Sequence, residues 1–212
     1  MKVTPSPPLR VRAVVVALHG ILTKGTDWPD HLDGFLTDCK VIQRDYFAGF
    51  LPVVNSLWRN RSHAEGLADE LEIFGNSLPL HFVAHSNGCD IALRTIKLLA
   101  DRGVRTETAI FAGSVTHPDV DVSGVRLLIR AGRLGRAFAY ASLNDAPLKW
   151  SGPFKWPYRD LGRRGWMLNG KPFEHHRIQT RRFDSLGHCD YFTAANRDGV
   201  FRQMRADMGL DA

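Results

Sequence analysis

A short valine-rich run near the start of the chain sets the strongest constraint on its fold. Residues 12–18 read RAVVVAL, in which six apolar residues follow one another. Such runs are typical of strands that are buried on both faces, as inside a parallel sheet. Similar runs alternate with amphipathic helix patterns along the whole chain. The sequence therefore predicts an α/β protein with about six mainly parallel strands and helices on both faces of the sheet.

The predicted elements fill a single domain over residues 1–212. This length is enough to bury a large core without disulfides or metals, and we find no internal repeat. Strands are predicted at residues 12–18, 39–46, 80–85, 106–113, 136–142 and 177–185. Helices are predicted at residues 28–38, 62–74, 87–103, part of 119–134, and 189–207.

Residues 146–177 differ in character from the rest of the chain. They contain four prolines, and aromatic residues at positions 150, 154, 156, 158 and 166. This composition predicts an irregular excursion instead of a core element. Because the excursion lies between the last two predicted strands, we expect a cap over the sheet end that lines an apolar pocket with Trp150 and Trp156. A surface loop anchored by its own aromatic residues is the alternative.

Three side chains of types that take part in catalysis follow predicted strands. Ser86 follows the third strand, Asp145 the fifth and His188 the sixth. In folds of this kind, ligands bind at the carboxyl ends of the strands, so residues at these positions are candidates for function. A serine hydroxyl needs a base to act as a nucleophile at neutral pH, histidine is a suitable base, and a buried carboxylate orients the histidine. We predict Ser86, His188 and Asp145 as a catalytic triad.

The order Ser, Asp, His and the motifs around these residues resemble the α/β-hydrolase superfamily. The resemblance covers residues 11–208 and rests on AHSNG at 84–88, HGI at 19–21 and GHCDYF at 187–192. Small lipases and esterases with an HG-x oxyanion loop and an AHSxG nucleophile turn look most similar. The resemblance implies a compact α/β-hydrolase fold with the serine on a sharp strand-to-helix turn.

The same resemblance assigns roles to residues around the serine. The backbone N–H groups of Asn87 and Ile21 are the expected oxyanion donors. Positions 84 and 88 must approach neighbouring backbone closely. Gly88 suits that requirement, whereas Ala84 adds one methyl group where many members have glycine. We expect His19 to shape the oxyanion loop and His85 to pack against the substrate pocket.

Other residues compete for these roles. Asp119 and Asp121 follow the fourth strand and are alternative acids, whereas Asp184 is expected to pair with an arginine inside the last strand. His175 and His176 have no carboxylate or cysteine at ligand spacing and are expected at the surface, so we predict no metal. We also predict no organic cofactor, because a serine triad needs none.

Charge and cysteine content indicate the surroundings in which the protein works. The net charge is +6, yet the arginines are interleaved with apolar residues, so we expect a solvated basic face and no nucleic-acid partner. Three widely separated cysteines give no disulfide framework and favour a reducing cytoplasm. No segment has the roughly 18 apolar residues of a transmembrane helix, and the first apolar run lacks a signal-peptide cleavage site.

The predicted function is that of a serine hydrolase that cleaves carboxylic esters through an acyl-enzyme intermediate. A lipid ester, small ester, thioester or amide can serve as substrate in this fold. The sequence leaves the oligomeric state open. The alternative from another class is a non-catalytic α/β-hydrolase-like protein that binds an anionic partner through its basic face.

Overall fold

A six-stranded parallel sheet forms the centre of the protein. The computed structural model describes residues 11–20, 27–44, 46, 58–75, 77–150 and 160–211, with residues 118–120 and 150 described by their backbone alone. Its strands are β1 (Ala13–Leu18), β2 (Cys39–Gln43), β3 (Leu80–His85), β4 (Thr106–Ala112), β5 (Leu134–Ala141) and β8 (Ile178–Arg182). They lie in the order β2-β1-β3-β4-β5-β8, and every neighbouring pair is parallel. A two-stranded antiparallel ribbon is formed by β6 (Met167–Leu168) and β7 (Lys171–Pro172).

Helices cover both faces of the sheet and create two hydrophobic cores. They are α1 (Trp28–Phe35), α2 (Asn60–Glu72), α3 (Gly88–Asp101), α4 (Pro118–Arg130), α5 (Ala146–Trp150), α6 (Leu161–Arg164) and α7 (Arg197–Met208). The first core contains buried apolar residues of α2, α3 and α4. The second contains buried residues of α1 and α7. Strands β1 and β3 are buried along their whole length, which explains the unbroken apolar sequence of β1; β3 is apolar apart from His81 and His85.

The predicted α/β-hydrolase-like architecture is confirmed, with six parallel strands and helices on both faces. Several predicted bounds differ from the observed ones. The closing helix predicted at residues 189–207 begins only at Arg197, after a short 3-10 turn at Asp190–Phe192, and the second strand ends at Gln43 instead of residue 46. The described part of residues 146–177 contains α5, α6 and the β6–β7 ribbon, so this part is more regular than the proline content suggested. The helix predicted from residue 62 begins at Asn60.

The parallel register brings the residues that follow β3, β4, β5 and β8 to one edge of the sheet. His85 at the end of β3 lies opposite Ala112 of β4, and Ala112 lies opposite Tyr140 of β5. Arg182 at the end of β8 pairs with Ala141 of β5. The chain positions after these strands are therefore neighbours in space even though up to about one hundred residues separate them in sequence.

A buried polar cluster attaches the last helix to the sheet. Asp207 of α7 accepts hydrogen bonds from the Tyr140 hydroxyl at 2.8 Å and from Arg181 at 2.7 and 3.2 Å. The Asp207 carboxylate is 3% exposed, so its charge depends on these partners for solvation. Arg181 also lies over the ring of Phe138. The cluster joins α7 to both β5 and β8.

The Asp207→Ala substitution is expected to lower the free energy of unfolding by about 2 to 3 kcal/mol, because it leaves the buried Tyr140 hydroxyl and the Arg181 guanidinium without their shared acceptor. Urea denaturation followed by circular dichroism measures this loss. Glu65→Ala is the matched control, since Glu65 forms an exposed pair with Arg61 at 2.9 Å. The control should change stability by less than about 0.5 kcal/mol. Equal losses in the two variants would contradict the importance of the cluster.

Candidate active site

Ser86 occupies a strained turn between β3 and α3. Its φ angle is 53°, in the left-handed region that L-residues other than glycine rarely adopt. The Ser86 N–H donates a hydrogen bond of 3.0 Å to the carbonyl of Ala112 at the end of the adjacent β4. This bond continues the sheet ladder by one residue and fixes the turn. A strained backbone at a polar residue is a common sign of a functional site.

Two glycines make the tight turn around Ser86 sterically feasible. A Cβ atom at Gly88 would lie 2.5 Å from the carbonyl oxygen of His19 and 2.6 Å from that of Leu18. A Cβ atom at Gly20 would lie 2.7 Å from the Cβ of Ser86. Ala84 is completely buried in the first core, which accommodates its methyl group. The turn therefore requires glycine at position 88 and tolerates alanine at position 84.

Ser86, His188 and Asp145 form a continuous hydrogen-bonded chain. The distance from Ser86 Oγ to His188 Nε2 is 3.0 Å, and that from His188 Nδ1 to Asp145 Oδ2 is 2.7 Å. Asp145 is completely buried, whereas the His188 side chain is 13% exposed. The second carboxylate oxygen of Asp145 accepts the N–H of Leu148 at 3.1 Å and so caps α5. The three residues predicted from separate strand ends are thus brought together.

The loop that carries Asp145 is bonded directly to the loop that carries His188. The Ser142 hydroxyl donates to the carbonyl of Leu186, and the Asn144 side-chain amide donates to the carbonyl of Asp184. The Asp184 carboxylate accepts the N–H of Leu143 at 3.0 Å. These bonds hold the two loops in one arrangement and limit how far Asp145 and His188 can separate.

Asn87 is the residue after the serine and is anchored by its side chain. Its amide group exchanges two hydrogen bonds, of 2.9 and 3.1 Å, with the side chain of buried Asn60 in α2. Asn60 also donates to Asp90 at 2.8 Å. The side chain of Asn87 therefore points into the protein, and its backbone lies at the amino end of α3. Ile21, the other predicted oxyanion donor, lies outside the described residues.

His85 lies behind the His188 ring. Its Nε2–H donates a 2.8 Å hydrogen bond to the backbone carbonyl of His188, and its ring contacts the rings of His188 and Phe192. Burial lowers the pKa of His85 to about 3, so the ring is neutral at physiological pH. Gly113 has a φ of 51°, and a Cβ atom there would lie 3.2 Å from His188 Nδ1. His85 thus supports the His188 loop, and Gly113 leaves space for its ring.

His19 lies at the end of β1 on the other side of Ser86. Its Nδ1 donates a 2.8 Å hydrogen bond to the carbonyl of Gly20. The ring stacks on Tyr46 with a centroid separation of 4.7 Å, and the Tyr46 hydroxyl donates to the His19 carbonyl. These contacts shape the backbone at the start of the loop that contains Gly20.

The alternative acids have other partners. Asp121 accepts the N–H of His117 at 2.7 Å within the first turn of α4, and the side chain of Asp119 is not described. Asp184 follows β8 instead of lying within it, and it binds the Leu143 N–H; the predicted arginine partner is wrong.

The aromatic residues of the predicted cap cannot all line a pocket. Trp166 is 1% exposed and packs edge-on against Phe111 in the first core, so it is a core residue. The backbone of Trp150 ends α5, and its side chain is not described. Trp156 lies outside the described residues. The substrate-binding roles of Trp150 and Trp156 therefore stay predictions.

Neither a metal-binding group of side chains nor a membrane-spanning helix is found among the residues that the structure describes. No group of three or more histidine, cysteine, aspartate or glutamate side chains there is arranged to hold a metal ion, and His175 and His176 are exposed. No helix in the described part of the chain is long and apolar enough to cross a bilayer. Cys39, Cys89 and Cys189 are all free thiols.

Comparison with solved structures places this geometry in a known fold. The type II thioesterase YbtT of the yersiniabactin pathway matches with a TM-score of 0.57 and 17% identity, over 98% of this chain and 96% of its own. Acyl-protein thioesterase 2 of Zea mays matches with a TM-score of 0.59 and 15% identity, over 97% of both chains. The type II thioesterase BorB matches with a TM-score of 0.60 and 13% identity, over 97% of this chain and 94% of its own. The chain has the α/β-hydrolase fold. No family model and no curated protein matches the sequence.

Several residues that support the site in this α/β-hydrolase fold were missed by the sequence analysis. They are Asn60, Gly113, Ser142 and Asn144, which act through contacts with segments distant in the chain. Only Gly113 has a recognisable sequence signal, since it is a glycine at the end of a predicted strand, at the carboxyl edge of the sheet. The other three are common residue types in helices and turns, and their sequence surroundings do not distinguish them.

The Gly88→Ala substitution is expected to lower the free energy of unfolding by at least about 2 kcal/mol, because its Cβ would overlap two backbone carbonyl oxygens that cannot move independently of β1. Gly199→Ala is the matched control. Gly199 lies in α7, and a Cβ atom there meets nothing within 4 Å. The control should stabilise the protein by about 0.5 to 1 kcal/mol, the ordinary helix preference for alanine. Urea denaturation of both variants measures these changes. A loss of stability in Gly88→Ala alone indicates local steric overlap, whereas similar losses in both variants would indicate a general effect of replacing glycine.

Proposed function

We propose that this protein is a serine hydrolase that cleaves acyl esters, with acyl thioesters as its preferred substrates. The observation that carries the proposal is the hydrogen-bonded chain from Ser86 through His188 to buried Asp145. This is the arrangement that activates a serine hydroxyl in nucleophilic catalysis. The left-handed backbone of Ser86 supports the same role, since the strained turn exposes its hydroxyl at the sheet edge.

Each side chain has a definite task in the proposed mechanism. The His188 Nδ1–H donates to Asp145, so Nε2 carries the lone pair that accepts the Ser86 proton. Ser86 Oγ attacks the acyl carbonyl as His188 takes this proton, and the buried Asp145 carboxylate stabilises the resulting imidazolium. His188 then returns the proton to the leaving thiol or alcohol, which leaves an acyl-serine ester. A water molecule, deprotonated by His188, hydrolyses this ester and regenerates Ser86.

The oxyanion is proposed to bind at the amino end of α3. The backbone N–H of Asn87 and that of Ile21 are the two donors. The hydrogen bonds from Asn60 hold the Asn87 side chain away from the substrate, so that only its backbone takes part. The dipole of the 14-residue α3 adds a favourable partial positive charge at this point.

A thioester substrate is favoured over a carboxylic oxyester by two considerations. YbtT, BorB and the Zea mays protein, whose folds this chain shares, are all described as thioesterases. A thiol has a pKa of about 8.5, far below that of an alcohol, so it departs with less help from His188. The same residues are sufficient for oxyester cleavage. The relative rates of thioester and oxyester cleavage therefore decide between the two substrate classes.

The Ser86→Ala variant is expected to lose at least about 10⁴-fold in kcat/KM on a short acyl p-nitrophenyl ester, because the nucleophile is removed while the fold is kept. A fluorophosphonate probe should label the unmodified protein at Ser86, as located by peptide mass spectrometry. Ser77→Ala, which changes an exposed serine before the amino end of β3 and so at the opposite end of that strand from Ser86, is the control and should keep full labelling. Failure of the unmodified protein to react would favour the non-catalytic binding alternative.

The substrate preference is tested with one acyl chain presented as a thioester and as an oxyester of matched size. We expect kcat/KM, corrected for the uncatalysed rates, to be at least about tenfold higher for the thioester. The Ser86→Ala variant supplies the background rate for both compounds. A preference for the oxyester would contradict the proposed thioester preference and would support the carboxylic esterase predicted from the sequence. The proposed mechanism through Ser86 would be unaffected by that result.

A further inference from the structure

A cleft lies at the opposite edge of the sheet from Ser86. It has a volume of about 270 Å³ and is formed by the amino-terminal parts of the central strands and by residues 208–210, which end α7. Its polar lining comes from Arg12, His81, Glu107 and Arg136. We call it the amino-edge cleft. None of these four residues belongs to the proposed catalytic site.

His81 is the most unusual residue of the amino-edge cleft. Its side chain is 2% exposed, yet neither ring nitrogen has a hydrogen-bond partner among the residues that the structure describes. Burial, together with the nearby Arg136, lowers its pKa to about 4, so the ring is neutral and offers one donor and one acceptor. Buried polar groups in folded proteins are nearly always paired, and an unpaired one calls for an explanation.

The sheet register places His81 in a row with two further polar side chains. His81 of β3 lies opposite Thr108 of β4, and Thr108 lies opposite Arg136 of β5. Because side chains alternate between the faces of a strand, all three lie on the face covered by α7. The hydroxyl of Thr108 is completely buried and has no partner in the described part of the chain. The row therefore presents unused hydrogen-bonding groups on three adjacent strands.

Arg136 forms no hydrogen bond or ion pair with any described residue. The carboxylates near it are held by other arginines: Glu107 by Arg105 at 2.8 Å and Asp207 by Arg181 at 2.7 Å. Gly209 has a φ of 72°, and a Cβ atom there would lie 2.9 Å from Nη2 of Arg136. A glycine at this helix end therefore leaves room for a guanidinium that has no acceptor within the described part of the chain.

We propose that the amino-edge cleft binds an oxyanion, the phosphate or carboxylate group of a small molecule. Arg136 and the ring N–H of His81 are the direct donors, and the Thr108 hydroxyl between them completes the row. A guanidinium suits both groups because its planar N–H pairs match two oxygen atoms. The volume of about 270 Å³ lies just below the usual range for small-molecule sites, which starts at about 300 Å³, so it fits only a small metabolite or one group of it. This site is separate from Ser86 and does not depend on the proposed hydrolase activity.

Direct binding is measured on the full-length protein by NMR of the histidine ring nitrogens, with sodium phosphate as the probe and sodium chloride at matched ionic strength as the reference. We expect the His81 signals to shift in a saturable way with phosphate and to be unaffected by chloride. In the Arg136→Met variant the phosphate affinity should fall by about tenfold or more, since a charge-assisted donor pair is lost. Arg136 is partly exposed, so this variant is expected to fold.

The control is Arg202→Met, which removes the same charge from an exposed position on α7 and should leave phosphate binding unchanged. It also separates site binding from the general stabilising effect of phosphate on folded proteins. A parallel titration with succinate identifies the source of the oxyanion: tighter binding of succinate points to a carboxylate metabolite, and tighter binding of phosphate to a phosphorylated one. Equal affinities in the Arg136→Met and unmodified proteins would overturn the proposal, as would the absence of saturable His81 shifts with both anions.

Discussion

Burial of the central strands on both faces is the constraint on which the rest of the molecule depends. Strands such as β1 and β3 have no solvent-exposed face, so polar chemistry is confined to the two edges where strands begin and end. At the carboxyl edge, Ser86, His188 and Asp145 form a hydrogen-bonded chain. At the amino edge, the polar row that contains His81 and Arg136 borders a cleft. The same architecture therefore accounts for the position of both candidate sites.

Positioning at the carboxyl edge relies on contacts between loops as much as on the strands. The bonds from Ser142 and Asn144 to the loop of His188 join the loops of Asp145 and His188 into a single unit. His85 attaches that unit to the end of β3, one residue before the serine. A displacement of any one of these segments would therefore be transmitted to the distance between His188 and Ser86.

The sequence was sufficient to predict the features that depend on local patterns. Apolar runs predicted the parallel strands, and the positions of Ser86, Asp145 and His188 at strand ends predicted that these three side chains lie close together. The supporting contacts could not be predicted in this way, because they join segments whose proximity depends on the sheet register. Trp166 shows the same limit: its proline-rich surroundings suggested a cap, whereas long-range packing against Phe111 makes it part of the core.

The left-handed backbone at residue 86 favours glycine for stability, whereas the proposed chemistry needs the hydroxyl of a serine. Glycine adopts a φ of 53° without strain, whereas serine at this angle costs about 1 kcal/mol or more. Replacement of the serine by glycine would therefore relax the turn and remove the hydroxyl in the same step. Selection for stability alone would not retain a serine here. A serine at this angle is what the proposed nucleophilic role of Ser86 requires, so a redesign of this protein for stability that is meant to keep that role must hold residue 86 fixed.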